Sequence, residues 1–465
     1  MISDTVTVSK SLRIPTLAEI QHRRSELLMQ QAALQTSQPG ELPPGELPDD
    51  EPEDAPSTAL PPDVTPWPTL ASAAYHGLAG LAVRTIAPQT EADPAAILLQ
   101  FLAAFGNIIG PGPHCMVEST RHNLNLFVVL VGESSKARKG TSWRHICRLF
   151  SEVDDLWVER RVTSARLTAD GLIHALRDQE HPTDRRLLVL SEEFAGVLHV
   201  LAREKGHLSP LLRCAWDSGN LRTLDRHRSL QATGAHISLI AHITQYELAH
   251  HLHRTEAHNG FANRCLWTAV RRSQCLPEGG SLSPGDLAGI ARELRHTLDW
   301  VGNGTERPPF SRDAAARQLW NDRYPCLSHA RTALFGAATS RAEAQVLRLS
   351  AIYAALDCSP IVTTPHLEAA LAVWDYCSAS AALIFIPCAS DPIVDRIREA
   401  LDASPNGLTR DQIRTLFQHH VRSERIDAAL EQLTTLGTIT SQKSSGRGRP
   451  STLWSTIEAG DPAPE

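Results

Sequence analysis

The stretch that most constrains the fold is residues 126–142, which read LFVVLVGESSKARKGTS. Six apolar residues end at Gly132, and a polar loop follows that leads to Lys139, Gly140, Thr141 and Ser142. The apolar run predicts a buried strand, and the loop predicts a connection into the N-terminus of a helix. Such a junction offers backbone amides to an anion, so the stretch predicts a phosphate-binding loop.

The loop departs from the usual P-loop pattern, G-x-x-x-x-G-K-[ST]. The interval from Gly132 to Lys139 is one residue too long, Ala137 stands where the second glycine belongs, and Gly140 separates the lysine from Thr141. A bulge before the helix could absorb the extra residue. We expect Lys139 to contact the phosphates, with Lys136 and Arg138 as alternatives. Thr141 or Ser142 would supply the hydroxyl for Mg²⁺.

A pair of carboxylates follows the second predicted strand, residues 187–190. Glu192 and Glu193 come at the carboxyl end of this apolar run. Adjacent carboxylates are costly at such a place unless they meet a cation, so they predict an Mg²⁺-binding and water-activating pair. A solvated turn after a strand is the alternative.

Two further polar positions follow in order. The apolar run 237–243 ends with His242 and the adjoining Thr244, so a polar side chain there could lie beside the γ-phosphate as a sensor. We expect Thr244 to take this role, and a satisfied strand-end threonine is the alternative. Arg264 precedes the apolar run 265–270 and could reach the nucleotide of a neighbouring subunit, as in ring-shaped ATPases. Arg271 and Arg272 are alternatives, and a local salt bridge is the other interpretation. The order of loop, carboxylates, polar strand end and arginine is typical of a RecA-like ATPase core.

The chain resembles helicase-like P-loop ATPases of prophages, plasmids and other mobile elements, which are often associated with primases. The resemblance covers about residues 67–386 and includes NLFVVLVGESSKARKGTSW, LLVLSEEFAGVL, ISLIAHITQYEL and NGFANRCLWTAVRR. It implies a RecA-like ATPase with a helical lid. It also implies a nucleotide site at Lys139, Thr141, Glu192, Glu193 and Arg264.

Composition and periodicity predict an α/β protein with several parts. Residues 1–64 combine a short helix with an acidic, proline-rich and disordered linker, because ten prolines fall within 39–68. Helices occupy 65–122, the RecA-like P-loop core occupies 123–282, and a helical lid occupies 283–388. A winged-helix domain, 389–456, and a tail, 457–465, complete the chain.

The winged helix predicts a contact with DNA. Three helical patterns are followed by two strands that flank SSGRGRP. Lys443, Arg447 and Arg449 in this wing could enter a minor groove, and Arg422 and Arg425 could approach a major groove. A winged helix used for protein contact is the alternative.

Charge and cysteine content indicate which partners and which cellular compartment are compatible with the chain. Residues 1–60 hold ten acidic and four basic residues, so they account for most of the net charge of −7. The rest is near neutral and does not argue against nucleic-acid binding. Nine scattered cysteines without a CxxC pair predict free thiols in the cytoplasm. No run approaches about 18 uninterrupted apolar residues, so no membrane span is expected.

We therefore expect a cytoplasmic, Mg²⁺-dependent ATPase that acts on DNA in the replication of a mobile element. Its DNA would be single-stranded, forked or an origin, and the chain would form a homo-oligomer, with a hexamer as one expected form. A DNA-binding initiator, loader or regulator that uses ATP as a structural or switch ligand is the first alternative. An accessory subunit that recruits a primase through its N-terminal arm is the second.

Overall fold

A computed structural model describes residues 66–178, 184–203, 207–223, 230–252, 256, 259–302, 307–331, 333–385, 392–404, 407–417, 420–435, 438–444 and 451–456. The predicted N-terminal helix and acidic linker of residues 1–64 lie outside the described residues, as does the tail 457–465.

The strands up to residue 269 form one sheet and two small hairpins. In the described residues they are β1 (His114–Val117), β2 (Thr120–Asn123), β3 (Phe127–Val131), β4 (Val162–Thr163), β5 (Arg186–Ser191), β6 (Leu221–Thr223), β7 (Leu230–Ala232), β8 (His236–Ile243) and β9 (Cys265–Ala269). The main sheet has five strands in the order β4-β5-β8-β3-β9, and every neighbouring pair is parallel. The prediction of an α/β fold with a parallel sheet is therefore confirmed.

The helices that alternate with these strands begin with a 3₁₀ turn at Ser72–Tyr75. The α-helices are α1 (Gly77–Ile86), α2 (Pro94–Ile108), α3 (Lys139–Val153), α4 (Asp155–Arg161), α5 (Ala169–Ala175), α6 (Phe194–Arg203), α7 (Leu208–Asp217) and α8 (Gln245–His251). The helix predicted to follow the phosphate loop begins at Lys139.

Side chains alternate between two cores along the buried strands. In β3, Val128 and Leu130 join a core that includes α2 and α3. Phe127 and Val129 join a second core that includes α6, α7 and α8. Both faces of the sheet are covered, which explains why the predicted strands are continuous apolar runs rather than alternating ones.

The chain leaves two neighbouring strands in opposite directions. From β3 it continues into α3 in the first core, and from β8 it continues into α8 in the second core. In a parallel sheet such a divergence opens a crevice at the carboxyl ends of the two strands. The fold therefore creates a cleft beside the loop after β3.

A helical region follows the sheet, as the sequence pattern predicts. Its helices are α9 (Pro284–Val301), α10 (Ala314–Leu327), α11 (Ala333–Thr339), α12 (Ala342–Leu356) and α13 (Thr364–Phe385). A two-stranded parallel pair, β10 (Ser311–Arg312) and β11 (Ile361–Val362), lies among them. Helix α13 is long and apolar enough to cross a membrane, but 61% of its most apolar window is buried in the protein, as in a core helix.

The C-terminal residues form a separate small core. Its elements are α14 (Pro392–Asp402), β12 (Leu408–Thr409), α15 (Arg410–Leu416), α16 (Ser423–Thr435), β13 (Ile439–Ser444) and β14 (Ser451–Thr456). The three strands are antiparallel in the order β12-β14-β13. Ile397, Ile413, Ile426 and Leu433 meet in the core between helices and sheet.

Sequence periodicity missed the shortest strands. The two residues of β4 and the three-residue strands β6 and β7 are too short for an alternating pattern to show. Strand β4 is nevertheless an edge of the main sheet, where it pairs with β5 through Val162 and Thr163.

Gly132 occupies a position where a side chain does not fit. A Cβ atom on Gly132 would lie 2.3 Å from the Val270 carbonyl oxygen and 2.8 Å from Ala137 Cβ. Neither neighbour is a flexible side-chain end, so Gly132→Ala should lower the free energy of unfolding by about 1–3 kcal/mol. Urea denaturation measures the change.

Gly289→Ala is the matched control, because Gly289 lies inside α9 and a Cβ there meets nothing within 4 Å. This variant should gain up to about 1 kcal/mol from helix propensity. Similar stabilities for the two variants would contradict the tight packing described for Gly132.

Candidate functional site

A polar cleft lies at the carboxyl ends of β3, β5 and β8. Its volume is about 610 Å³. It is lined by the loop after β3 together with the first turn of α3, by the loop after β5, and by the end of β8. Six of the predicted site residues line it: Arg138, Lys139, Gly140, Thr141, Glu192 and Glu193. Thr244, predicted as a sensor, lines it as well.

The loop after β3 makes a turn at residues 134–137 before it enters α3. Ala137 is buried and lies against Gly132, which itself donates its amide to the Ile243 carbonyl at 3.1 Å. Arg138 then takes a left-handed conformation, with φ of +52°, directly before α3. The left-handed residue therefore lies directly before the helix, and the bulge expected there stays a prediction.

The amine of Lys139 is turned back over the loop. Its Nζ donates to the carbonyl oxygen of Gly132 at 2.5 Å and to that of Glu133 at 3.2 Å. Burial lowers the pKa of Lys139 to about 8, although the charge of Glu247 acts in the opposite direction. A cation that is partly desolvated and bonded to neutral carbonyls would gain from an anionic ligand.

The other two basic residues of the loop are placed differently. Lys136 is exposed and is not among the residues that line the cleft. Arg138 lines the cleft, but its Nε is 2.7 Å from Glu91 Oε2 in an ion pair. Of the three alternatives, Lys139 is therefore the one that both lines the cleft and has no ion pair among the described residues.

The N-terminus of α3 faces the cleft without a side-chain cap from Arg138 in the described part of the chain. The first amides of a helix have no acceptor within it, so they are available to an anion. Thr141 lines the cleft, whereas Ser142 is buried. Ser142 Oγ donates to the Lys139 carbonyl at 2.6 Å and accepts from Gln100 Nε2 at 2.7 Å, so Ser142 is not available to a metal ion.

The two carboxylates after β5 face this helix end. Glu192 and Glu193 are both exposed and line the cleft. A Cβ atom on Gly140 would lie 3.4 Å from Glu192 Oε1, which puts that carboxylate next to the first turn of α3. The arrangement brings amides, an amine, a hydroxyl and two carboxylates around one volume.

The end of β8 contributes two side chains that differ in hydrogen bonding: one is engaged and the other is unpaired in the described part of the chain. Thr244 caps α8: its Oγ1 donates to Glu247 Oε2 at 2.8 Å and accepts from the Glu247 amide at 3.2 Å. Its hydroxyl is therefore already engaged, as the interpretation of a satisfied strand-end threonine expects.

His242 lines the same cleft and is only 3% exposed, and its Nε2 has no hydrogen-bond partner among the described residues. Burial, reinforced by the charge of Lys139, lowers the pKa of His242 to about 3, so the ring is neutral near pH 7. The sequence pattern predicts His242 as a polar side chain at the end of this run, but residue types alone do not show that it is buried and unpaired beside Lys139.

Arg264 lies away from the cleft. It precedes β9, whose first residue pairs with Phe127 at the amino end of β3. Because β3 spans five residues at about 3.3 Å each, Arg264 is separated from the loop by the length of the strand. Its side chain is 6% exposed and its Nη2 is 2.5 Å from Asp217 Oδ2, so Arg264 is a buried ion-pair partner in this chain.

The residues predicted to contact DNA are only partly described. Arg422 and Arg425 are exposed at the start of α16. The same helix also exposes Glu424, Asp427 and Glu431. Lys443 lies in β13, and Arg447 and Arg449 lie outside the described residues.

No protein-family model matches the chain, and no curated protein matches its sequence. The resemblance to helicase-like ATPases of mobile elements therefore remains a prediction.

His242→Leu should leave the free energy of unfolding unchanged or raise it by about 1–2 kcal/mol, because it removes a buried and unpaired polar atom. The variant should also lose less stability in acid. The pKa of His242 is lower in the folded chain than in the unfolded chain, so protonation of the unfolded state destabilises the wild type as pH falls from about 6.5 towards 3. Urea denaturation at pH 7 and pH 5 measures both effects.

His236→Leu is the matched control at the other end of β8. His236 is equally buried, but its Nε2 is 2.7 Å from the Gly106 carbonyl oxygen. Removing this partner should cost about 1–3 kcal/mol. A large loss of stability for His242→Leu would mean that the ring has a partner in the folded protein.

Proposed function

We propose that this chain is a Mg²⁺-dependent ATPase with a RecA-like core that acts on DNA. One observation carries the proposal: the partly buried amine of Lys139 lies at the uncapped N-terminus of α3, in a cleft that also holds Glu192 and Glu193. Hydrolysis of a nucleoside triphosphate needs these groups together, a cation and amides for the phosphates and carboxylates for metal and water.

The residues present fit a nucleotide. The amides at the start of α3 and the Lys139 amine would bind the β- and γ-phosphates. The cleft volume of about 610 Å³ is within the range for small-molecule sites. The side chain of Glu91 holds Arg138 to one side, which leaves the helix end open.

Thr141 and Glu192 would hold the metal ion. The chemistry that the metal would supply there is neutralisation of the charge that develops on the phosphate oxygens. Glu193 would orient the attacking water and accept its proton. His242, being neutral, can donate a hydrogen bond from Nε2 to a terminal phosphate without adding charge, so we assign it the sensor role expected of Thr244.

The sheet order supports a RecA-like core. Strand β8, with its polar end, lies between the strand of the phosphate loop, β3, and the strand of the carboxylates, β5. This order brings all three strand ends to one cleft. The neighbouring helical region would then be the lid.

Lys139→Ala should weaken ATP binding about 10–100-fold, the effect of losing a charge-assisted hydrogen bond, and should abolish Mg²⁺-dependent turnover. In the wild type the affinity should fall about tenfold per pH unit above pH 8, because the free amine then loses the proton that the phosphates need. Calorimetric titration with ATP from pH 7 to 9.5 and a phosphate-release assay measure these effects.

Lys136→Ala, in the same loop but exposed, is the matched control and should change affinity by less than about threefold. Glu193→Gln should bind ATP and fail to hydrolyse it. Turnover that survives Lys139→Ala would mean that the catalytic assignment of this cleft is wrong.

The C-terminal unit would be a winged helix that contacts DNA. Three helices and an antiparallel sheet of three strands support this architecture. DNA phosphates would be contacted by the exposed guanidiniums at the start of α16 and by the basic wing. The exposed acidic residues further along α16 instead suit contact with a protein. The ATPase would be cytoplasmic and oligomeric, with the N-terminal arm as a contact for a primase.

The double variant Arg422→Ala/Arg425→Ala should reduce the affinity for forked or single-stranded DNA and lower the salt slope by about one per lost phosphate contact. Fluorescence anisotropy at 50–200 mM salt measures this slope. Arg396→Ala, an exposed arginine of α14, is the control. An unchanged slope in the double variant would leave the wing as the only DNA contact of this unit.

A further inference from the structure

Two histidines and an aspartate meet where the start of α1 lies against the helical region. His76 comes directly before α1, Asp357 directly follows α12, and His366 lies in the first turn of α13. Each side chain offers one atom that can bind a metal ion, and these atoms all lie within 4.8 Å of one another. We call this group the His-Asp-His cluster. It is separate from the cleft, whose described lining includes none of its residues.

The Asp357 carboxylate lies between the two imidazole rings. Its Oδ2 is 2.7 Å from His76 Nε2 and 3.1 Å from His366 Nε2. In a tetrahedral zinc site with bonds of about 2.0–2.2 Å, neighbouring ligand atoms lie about 3.3 Å apart. The shorter separation, 2.7 Å, would need to open by only about 0.6 Å to match that spacing.

The backbone next to His76 leaves room for the carboxylate. Gly77 has φ of +54°, and a Cβ atom on it would lie 2.7 Å from Asp357 Oδ1. Glycine takes this left-handed conformation without a steric penalty, and here it also avoids a contact with the carboxylate. The turn into α1 therefore brings His76 and Asp357 together.

The His-Asp-His cluster is closed on one side and open to solvent on the other. The side chain of His366 is 5% exposed, whereas those of His76 and Asp357 are 27% and 32% exposed. The ring of Tyr353 packs against that of His76, with 6.2 Å between the ring centroids. An ion could therefore enter from solvent and keep a water molecule as its fourth ligand.

The hydrogen bonds of His366 define what an ion would displace. Its Nδ1 accepts from the Thr363 amide at 3.1 Å and lies 3.2 Å from Thr363 Oγ1. A neutral ring that accepts at Nδ1 carries its proton on Nε2, where it is donated to Asp357. An ion bound at Nε2 would shift that proton to Nδ1, and Thr363 Oγ1 would then accept it. Because the Thr363 amide loses its acceptor, we expect weaker binding than in a preformed zinc finger.

The donor atoms favour zinc over the hard cations. Imidazole nitrogens suit Zn²⁺, whereas Mg²⁺ and Ca²⁺ prefer sites made of oxygen ligands. The thiol of Cys358 follows Asp357 in the chain, but its Sγ contacts Thr297 Oγ1 at 3.8 Å. The protein ligands would therefore be two nitrogens and a carboxylate oxygen.

We propose that the His-Asp-His cluster is a zinc site. Its ligands are Nε2 of His76, Nε2 of His366, the Asp357 carboxylate and a water molecule. The site is structural, because it joins positions 281 residues apart and so ties the chain before α1 to the helical region. A link between such distant positions removes many conformations from the unfolded chain. The proposal is independent of the nucleotide cleft.

Zinc titration of the full-length chain tests the site. After treatment with a chelator, the wild type should bind a single Zn²⁺ at the cluster, and Zn²⁺ should raise the urea midpoint of unfolding. Asp357→Asn keeps the shape of the side chain without its charge, and His76→Gln removes one imidazole. Each variant should bind Zn²⁺ at least about 100-fold more weakly, since even the loss of an outer hydrogen bond costs about 10–100-fold. Calorimetric titration with zinc chloride measures the affinity.

The controls separate this site from zinc held by other histidines. His250→Ala/His251→Ala removes two histidines of α8 and should bind Zn²⁺ as the wild type does. Thr363→Val should weaken binding about 10–100-fold and Thr363→Ser should not, because serine keeps the acceptor for the Nδ1 proton. Co²⁺ in place of Zn²⁺ should give the absorption spectrum of a tetrahedral site in the wild type and not in Asp357→Asn.

Equal zinc affinities for the wild type, Asp357→Asn and His76→Gln would overturn the inference. Loss of binding in His250→Ala/His251→Ala would overturn it as well, because α8 would then hold the ion. Both cluster variants replace partly exposed side chains, so each should still unfold cooperatively in the chelator. A folded wild type that binds no zinc also contradicts the site, and it leaves the ATPase proposal standing.

Discussion

The divergence of the chain after β3 and β8 is the constraint on which the rest depends. Two parallel, fully buried strands lie side by side, and their following helices pack into different cores. No backbone fills the space between the two departures, so a crevice is left at the carboxyl edge of the sheet. The loop after β3 and the carboxylates after β5 lie close together only because both border this crevice.

The two edges of the sheet carry excess charge of opposite sign. At the carboxyl edge, Lys139 is a partly desolvated cation surrounded by carboxylates at longer range. At the amino edge, Arg264 and Arg341 share Asp217, and both lie over the ring of Trp216 together with Arg348. The described part of the chain therefore holds a cleft with more carboxylates than cations and, at the opposite edge, a group with more guanidiniums than carboxylates.

Residue types and their spacing predicted most of the residues that line the cleft. They did not predict which polar side chains are buried. Lys139, Thr141 and the carboxylate pair were found because glycine, lysine and hydroxyl residues follow an apolar run. Ser142 has the same chemistry as Thr141 but lies on the buried side of α3, one residue further around the helix. Thr244 is engaged in a capping box with Glu247, three residues further along, so its state has a local sequence pattern. The state of His242 cannot be read from residue types, because it depends on which neighbours arrive from distant segments.

By itself, the sequence determined the α/β class, the buried strands and the position of the loop, since apolar runs and turn residues act over a few neighbours. Only the tertiary structure decided the strand order, because pairing between distant segments depends on long-range packing. That order put Glu192 and His242 beside Lys139 and sent Arg264 to the far edge. The short strand β4 and the left-handed turn at Arg138 likewise depend on contacts that periodicity does not record.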